Sequence, residues 1–144
     1  YAIGRIEPDF FEKGRNGRFF RIPVYSNTKL ALLLFTQELA ERLQNQGITI
    51  NASDPGIVST NMITMQAWFD PLTDILFRPF IKTPAQGAAT AIHLALSNEA
   101  KDKNGCCYAN CKKRNVSERI RHHAQQKQLW DDTEILLRQK GIRF

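Results

Sequence analysis

The period at which apolar residues recur changes along this chain, and the changes mark its elements. From about Ser26 to Gln46 strong helix formers dominate, with Leu30, Leu33, Leu34 and Ala40 on one side and Ala31, Phe35, Leu39 and Leu43 on another. Gly47 is placed to end that helix, and Ile48-Thr49-Ile50-Asn51-Ala52 alternates β-branched and polar residues as a strand over 48–53 does. Pro55 and Gly56 stop the strand, because neither continues a central ladder and glycine admits a neighbour or ligand close to the backbone. A binding loop is expected there.

Residues 61–82 are rich in bulky apolar groups broken by Pro71 and Pro79, which predicts short helices joined by kinks. Thr83-Pro84-Ala85-Gln86 has the form of a capping box with proline at the first helical position, so a helix should run to about Ser97. A turn at Asp102–Gly105, a short strand at Cys106–Asn110 and a terminal helix capped by Ser117 and extending toward Lys140 complete the pattern. Residues 1–24 carry the glycines and prolines of a connecting segment. Helix, glycine and strand in that order suggest an α/β fold, and no internal repeat is visible.

Composition narrows the class without naming a function. With 144 residues, 42% hydrophobic and 24% charged, the chain is one ordinary globular domain's worth of sequence. Its longest clean apolar run, Leu30 to Phe35, is far short of the roughly 18 residues that suggest a membrane span. A formal charge of +6 favours solubility and loose attraction to anions, no more. Cys106, Cys107 and Cys111 form neither an even disulfide framework nor paired zinc-type spacing, which points mildly to a reducing compartment. The chain opens at Tyr1 with no targeting pattern behind it, as expected of a processed or truncated front.

The candidate chemistry lies in Tyr25 and Lys29. Residues four apart near a helix start project from one face and can act on one small site. A phenol is a poor proton exchanger at neutral pH, and a nearby ammonium favours the phenolate, so the lysine would tune the tyrosine. Tyr-x-x-x-Lys alone is a weak motif, and a surface tyrosine beside a surface lysine has the same spacing.

Context strengthens it. The segments Tyr25-Ser26-Asn27-Thr28-Lys29-Leu30-Ala31, Phe35-Thr36-Gln37-Glu38-Leu39-Ala40, Pro55-Gly56-Ile57-Val58-Ser59-Thr60 and Ile81-Lys82-Thr83-Pro84-Ala85-Gln86-Gly87-Ala88 together resemble the retinol dehydrogenase branch of the short-chain dehydrogenase/reductase family. The resemblance continues through Gly105 to Lys112 and Leu129-Trp130, nearly the whole chain. It implies that Tyr25 is the acid/base, taking the proton of a substrate alcohol while hydride passes to the nicotinamide. It implies that Lys29 holds the ribose hydroxyls and lowers the phenol's pKa. Pro55, Gly56 and Ile57 would present backbone to the nicotinamide, and Thr60 would meet the carboxamide or a phosphate. Trp68, Phe69, Leu72 and Phe77 fall where the family places its substrate-facing segment, suited to a lipophilic alcohol or aldehyde such as a retinoid; core packing accounts for such residues equally well. The implied cofactor is NADP, with NAD the alternative. The setting implied is intracellular, and membrane attachment, at the endoplasmic reticulum, would come only through a segment ahead of Tyr1.

What has no counterpart also shapes the expectation. No glycine-rich strand-to-helix turn of the pyrophosphate-seating kind occurs in the chain, and Gly14-Arg15-Asn16-Gly17 lacks both spacing and context. The family's Asn-Asn-Ala-Gly-like segment and catalytic serine would lie ahead of Tyr1. The expected fold is therefore the C-terminal half of a Rossmann-type doubly wound parallel sheet, residues 1–144 forming a partial domain without its nucleotide-binding half. Such a piece would leave the strand at 48–53 short of a neighbour and the helix at 26–46 partly uncovered, with little or no activity alone. A non-catalytic module that uses the helix at 26–46 as a homodimer or partner surface is the alternative.

Other candidates carry less. The cysteine spacing puts two thiols on opposite strand faces with no histidine close in sequence, so no metal is expected. His122 and His123 are adjacent and diverge on a helix, and His93 falls among core-like positions. Lys112-Lys113-Arg114 lacks interleaved aromatics or a nucleic-acid fold signature, so it is expected to be a solvated turn and no nucleic-acid partner is expected.

Overall fold

A computed structural model describes residues 4–7, 10–11, 21–58, 81–116, 120 and 124–142. The elements are α1 (Arg21–Arg42), β1 (Ala52–Asp54), α2 (Pro84–Leu96), a 3-10 turn (Asn98–Ala100), β2 (Cys107–Ala109), β3 (Lys112–Arg114) and α3 (Gln126–Gln139). The sheet order is β1-β2-β3; β1 pairs parallel with β2, across α2, and β2 pairs antiparallel with β3. A purely parallel sheet was expected, and β3 corrects that.

The correction has a local cause. Asn110 and Cys111 both take left-handed φ, 52° and 59°, and form a two-residue link between the paired Ala109 and Lys112, the turn geometry whose twist matches a hairpin. Thr90, fully buried on α2, accepts the Cys111 amide at 3.2 Å and fixes the turn. Lys112-Lys113-Arg114 is thus an exposed strand, at the sheet's edge among the described residues, where charge guards an edge, rather than a solvated turn.

Helices lie on both faces of the sheet. Adjacent strand residues point to opposite faces: Cys107 packs with Leu33 of α1, while the Tyr108 ring lies 6.3 Å from that of His93 on α2. The capping box forms as expected, the Gln86 amide donating to Thr83 Oγ1 and the Thr83 amide to Gln86 Oε1, and α2 ends before Ser97.

Helix α1 begins at Arg21, five residues before the expected start, with Pro23 in the first turn, where its missing N–H would have had no intrahelical partner. It ends at Arg42 rather than Gln46. The Gln44 and Gln46 amides bond to carbonyls three residues back, and Asn45 turns left-handed at φ 70° ahead of Gly47. The expected strand at 48–53 narrows to Ala52–Asp54 because side chains take over its first bonds. Asn104 Oδ1 accepts the Ile50 amide and Asn51 Oδ1 accepts that of Cys106. Among the described residues β1 is paired on one side only.

The broad apolar surface of α1 is covered more fully than the sequence suggests. Leu30 and Leu34 bury against Leu129 of α3, with Ile6 and Phe10 closing over them, and Leu33 buries against Cys107 and Val116. Each such leucine contributes about 2 kcal/mol of burial. Helix α3 begins at Gln126 and closes on left-handed Gly141, whose neighbour Ile142 donates back to the Leu137 carbonyl. The expected cap at Ser117, the kinked segment at 61–80 and the pair His122–His123 lie outside the described residues.

Candidate active site

The first turns of α1 are oriented by their inward side. Ser26 and Leu30 are buried, and Gly4 lies so close over them that a Cβ there would come within 2.5 Å of the Ser26 carbonyl oxygen. The Arg5 amide donates to Asn27 Oδ1 at 2.8 Å, holding residues 4–7 along the helix. Tyr25 and Lys29 are left facing outward together. The Lys29 Nζ stands 5.2 Å from the centroid of the Tyr25 ring, and Tyr25 is 59% exposed. The ammonium lies against the phenol's π face.

Two contacts fix how α1 runs over the sheet. Near its C-terminus the Ala40 carbonyl accepts from Asn104, which also holds Ile50; further back, Leu33 packs in the cluster that includes Ala52. Moving toward the N-terminus of α1 therefore follows β1 toward its C-terminal end. Tyr25 and Lys29 lie on the part of α1 that extends toward the Pro55-Gly56 end of the strand.

The loop at that end is heavily tethered. Asp54 Oδ1 accepts the Gly56 amide at 2.9 Å while its Oδ2 accepts Arg114 of β3 at 2.9 Å. Gly56 has φ 74°. Lys82 grips the loop twice: its Nζ donates to the Pro55 carbonyl at 2.9 Å, and its amide donates to the Ile57 carbonyl at 2.9 Å. The same Nζ donates to Asn110 Oδ1 at 2.6 Å, tying the loop to the β2–β3 turn. Val58 bridges Lys82 and packs so tightly on Gly87 that a Cβ there would meet Val58 Cγ2 at 2.6 Å. A cavity of about 420 Å³ opens beside Lys82, lined also by Gln86, Thr90, Asn110 and Cys111.

Of the residues singled out in the sequence, Tyr25 and Lys29 form one pair and Pro55, Gly56 and Ile57 one loop. Thr60, Trp68, Phe69, Leu72 and Phe77 lie outside the described residues. Sequence reasoning missed Asp54, Lys82, Asn110 and Arg114. Aspartate just before Pro-Gly was a legible turn signal; Lys82 gave none, because its partners are 27 and 28 residues away. No group of His, Cys, Asp and Glu suited to a metal occurs among the described residues. Burial, with Asp54 adding to it, raises the Cys107 thiol above its ordinary value, so this cysteine is held neutral on the α1 side of the sheet.

Comparison with known proteins places the chain among relatives. Residues 13–68 match the family model described as short chain dehydrogenase. The chain is 37% identical to mouse retinol dehydrogenase 12 over 144 residues, all of this chain and 44% of the relative. It is 37% identical to human retinol dehydrogenase 14 over 116 residues, 78% of this chain and 34% of the relative. With human retinol dehydrogenase 11 it shares 35% over 132 residues, 91% and 40% of the two chains. It spans less than half the length of these relatives. By these matches the chain is similar to the short-chain dehydrogenase/reductase family, on its retinol dehydrogenase-like side, a family that carries a Rossmann-like fold and uses nicotinamide cofactors.

Proposed function

We propose that this chain supplies the proton-transfer and nicotinamide-side part of an NADP(H)-dependent oxidoreductase acting on a lipophilic alcohol or carbonyl such as retinol or retinal. The observation that carries this is Lys29 Nζ against the exposed Tyr25 ring on the stretch of α1 that runs toward the Gly56 loop. When bound, the cofactor accepts or donates the hydride. Tyr25 then takes the proton from the alcohol oxygen as hydride leaves the carbinol carbon, and gives it back to the carbonyl oxygen in the reverse direction. Lys29, against the same ring, would hold the ribose hydroxyls.

The loop fits a nicotinamide in one respect visible in its own bonds. The Pro55 and Ile57 carbonyls and the Gly56 amide are engaged within the chain, whereas no hydrogen bond engages the Gly56 carbonyl or the Ile57 amide among the described residues. That acceptor and donor would meet the carboxamide, with Thr60 beside them. Trp68, Phe69, Leu72 and Phe77 would form the apolar wall. The glycine-rich pyrophosphate turn has no counterpart here, so hydride transfer by this chain alone is not expected. No helix among the described residues is long and apolar enough to cross a membrane.

The test is a chimera in which this chain replaces the matching 44% of mouse retinol dehydrogenase 12. NADPH-dependent reduction of retinal by the folded chimera is the expected result. A folded chimera that binds NADPH and leaves retinal and other lipophilic aldehydes unreduced overturns the reading.

A further inference from the structure

Lys82 lies two residues before α2 and far in sequence from the tyrosine–lysine pair, yet its bonds converge on the Gly56 loop. Its amide and its side chain hold the two carbonyls that flank Gly56, those of Ile57 and Pro55. A lysine that donates to two neutral oxygens, the Pro55 carbonyl and the Asn110 amide oxygen, is not there to neutralise a carboxylate; it orients backbone. The side chain is also in contact range of the glycine itself, since a Cβ at Gly56 would lie 3.2 Å from Nζ. Asp54 and Arg114 fasten the preceding peptide from the other side of the sheet.

We propose that Lys82, braced by Asn110, is the positioning residue for the nicotinamide-facing loop. By turning the Pro55 and Ile57 carbonyls onto itself it leaves the Gly56 carbonyl and Ile57 amide directed away, as a preformed acceptor and donor for a carboxamide. The inference rests on the nicotinamide reading given above. It adds a residue that touches neither substrate nor reacting atoms and acts through the loop. Preorganisation of this kind is paid once, in folding, rather than at each binding event.

The test uses the full 144-residue chain, labelled with 15N, and its Lys82→Met, Lys82→Arg and Asn110→Gly variants. Glycine at 110 removes the acceptor while keeping the left-handed turn, so this variant separates bracing from folding. Amide hydrogen exchange at Gly56 is expected to quicken about tenfold in Lys82→Met and less in Asn110→Gly, with α2 amides unchanged. NADPH affinity, read by fluorescence titration of the same variants in the chimera with mouse retinol dehydrogenase 12, is expected to fall about fivefold in Lys82→Met and to recover in Lys82→Arg, which restores the donor. Unchanged Gly56 exchange in Lys82→Met and Asn110→Gly overturns the proposal, as does NADPH binding by the Lys82→Met chimera equal to that of the parent chimera. If the parent chimera binds no NADPH, the nicotinamide reading fails, and the exchange rates decide separately whether Lys82 orders the loop.

Discussion

Phe35 on α1 and Trp130 on α3 stack nearly face to face, ring centroids 4.7 Å apart at 14°. They are the visible part of a joint that decides how much of α1 is free. The Arg42 guanidinium lies 4.5 Å over the same indole, bonds Glu38 at 2.7 Å and approaches Asp131 at 3.5 Å. Glu38, itself buried, also accepts from Gln126 Nε2 at 3.2 Å. On this side α1 is covered by the chain's own last helix. Trp130→Ala is expected to destabilise the chain by about 3 kcal/mol, and Trp130→Phe by clearly less, in urea unfolding followed by circular dichroism.

Three glycines make a graded series. Gly47 has φ 73° and no heavy atom within 4 Å of a built Cβ, so Gly47→Ala should cost only the backbone term, about 1 kcal/mol. Gly56→Ala adds a contact with Lys82 to a φ of 74° and should cost somewhat more, part of it relieved by movement of the lysine tip. Gly87→Ala has no unfavourable φ but drives its methyl to 2.6 Å from Val58, and thermal melts should rank it the most damaging.

Cys107 makes stability depend on alkaline pH. Burial raises its thiol pKa from about 9.0, so the folded chain holds this proton longer than the unfolded chain does. The contribution is fully present below the unfolded value and is lost as pH rises from about 9 through the raised folded value. Melting temperature should therefore fall as pH rises above about 9, and Cys107→Ala should flatten that part of the curve.

How much of this was legible in the sequence depends on range. The Thr83–Gln86 capping box was readable because both partners sit within one helical turn. The helix around Leu30–Leu34 and the strand before Pro55 were readable from periodicity, though the strand's start shifted where Asn104 and Asn51 substituted side-chain bonds for backbone ones. β3 was hidden because its residues are all charged, and only the pairing set up by Asn110 and Cys111 makes them a strand. Tyr25 and Lys29 were found by helical spacing, whereas Lys82 reaches the loop through tertiary contacts that no local pattern encodes.

A chain that lacks the pyrophosphate turn should not turn over alone. Purified in isolation with NADPH and retinal, it is expected to show no reduction above the enzyme-free control; turnover comparable to that of an intact retinol dehydrogenase would refute the idea that it supplies only part of the active site.

The most direct measurement concerns one hydroxyl group. In the chimera with mouse retinol dehydrogenase 12, Tyr25→Phe should cut retinal reduction by about a hundredfold or more while NADPH binding and the melting temperature stay unchanged. Reduction by the phenylalanine variant within about twofold of the parent would show that the proton comes from elsewhere.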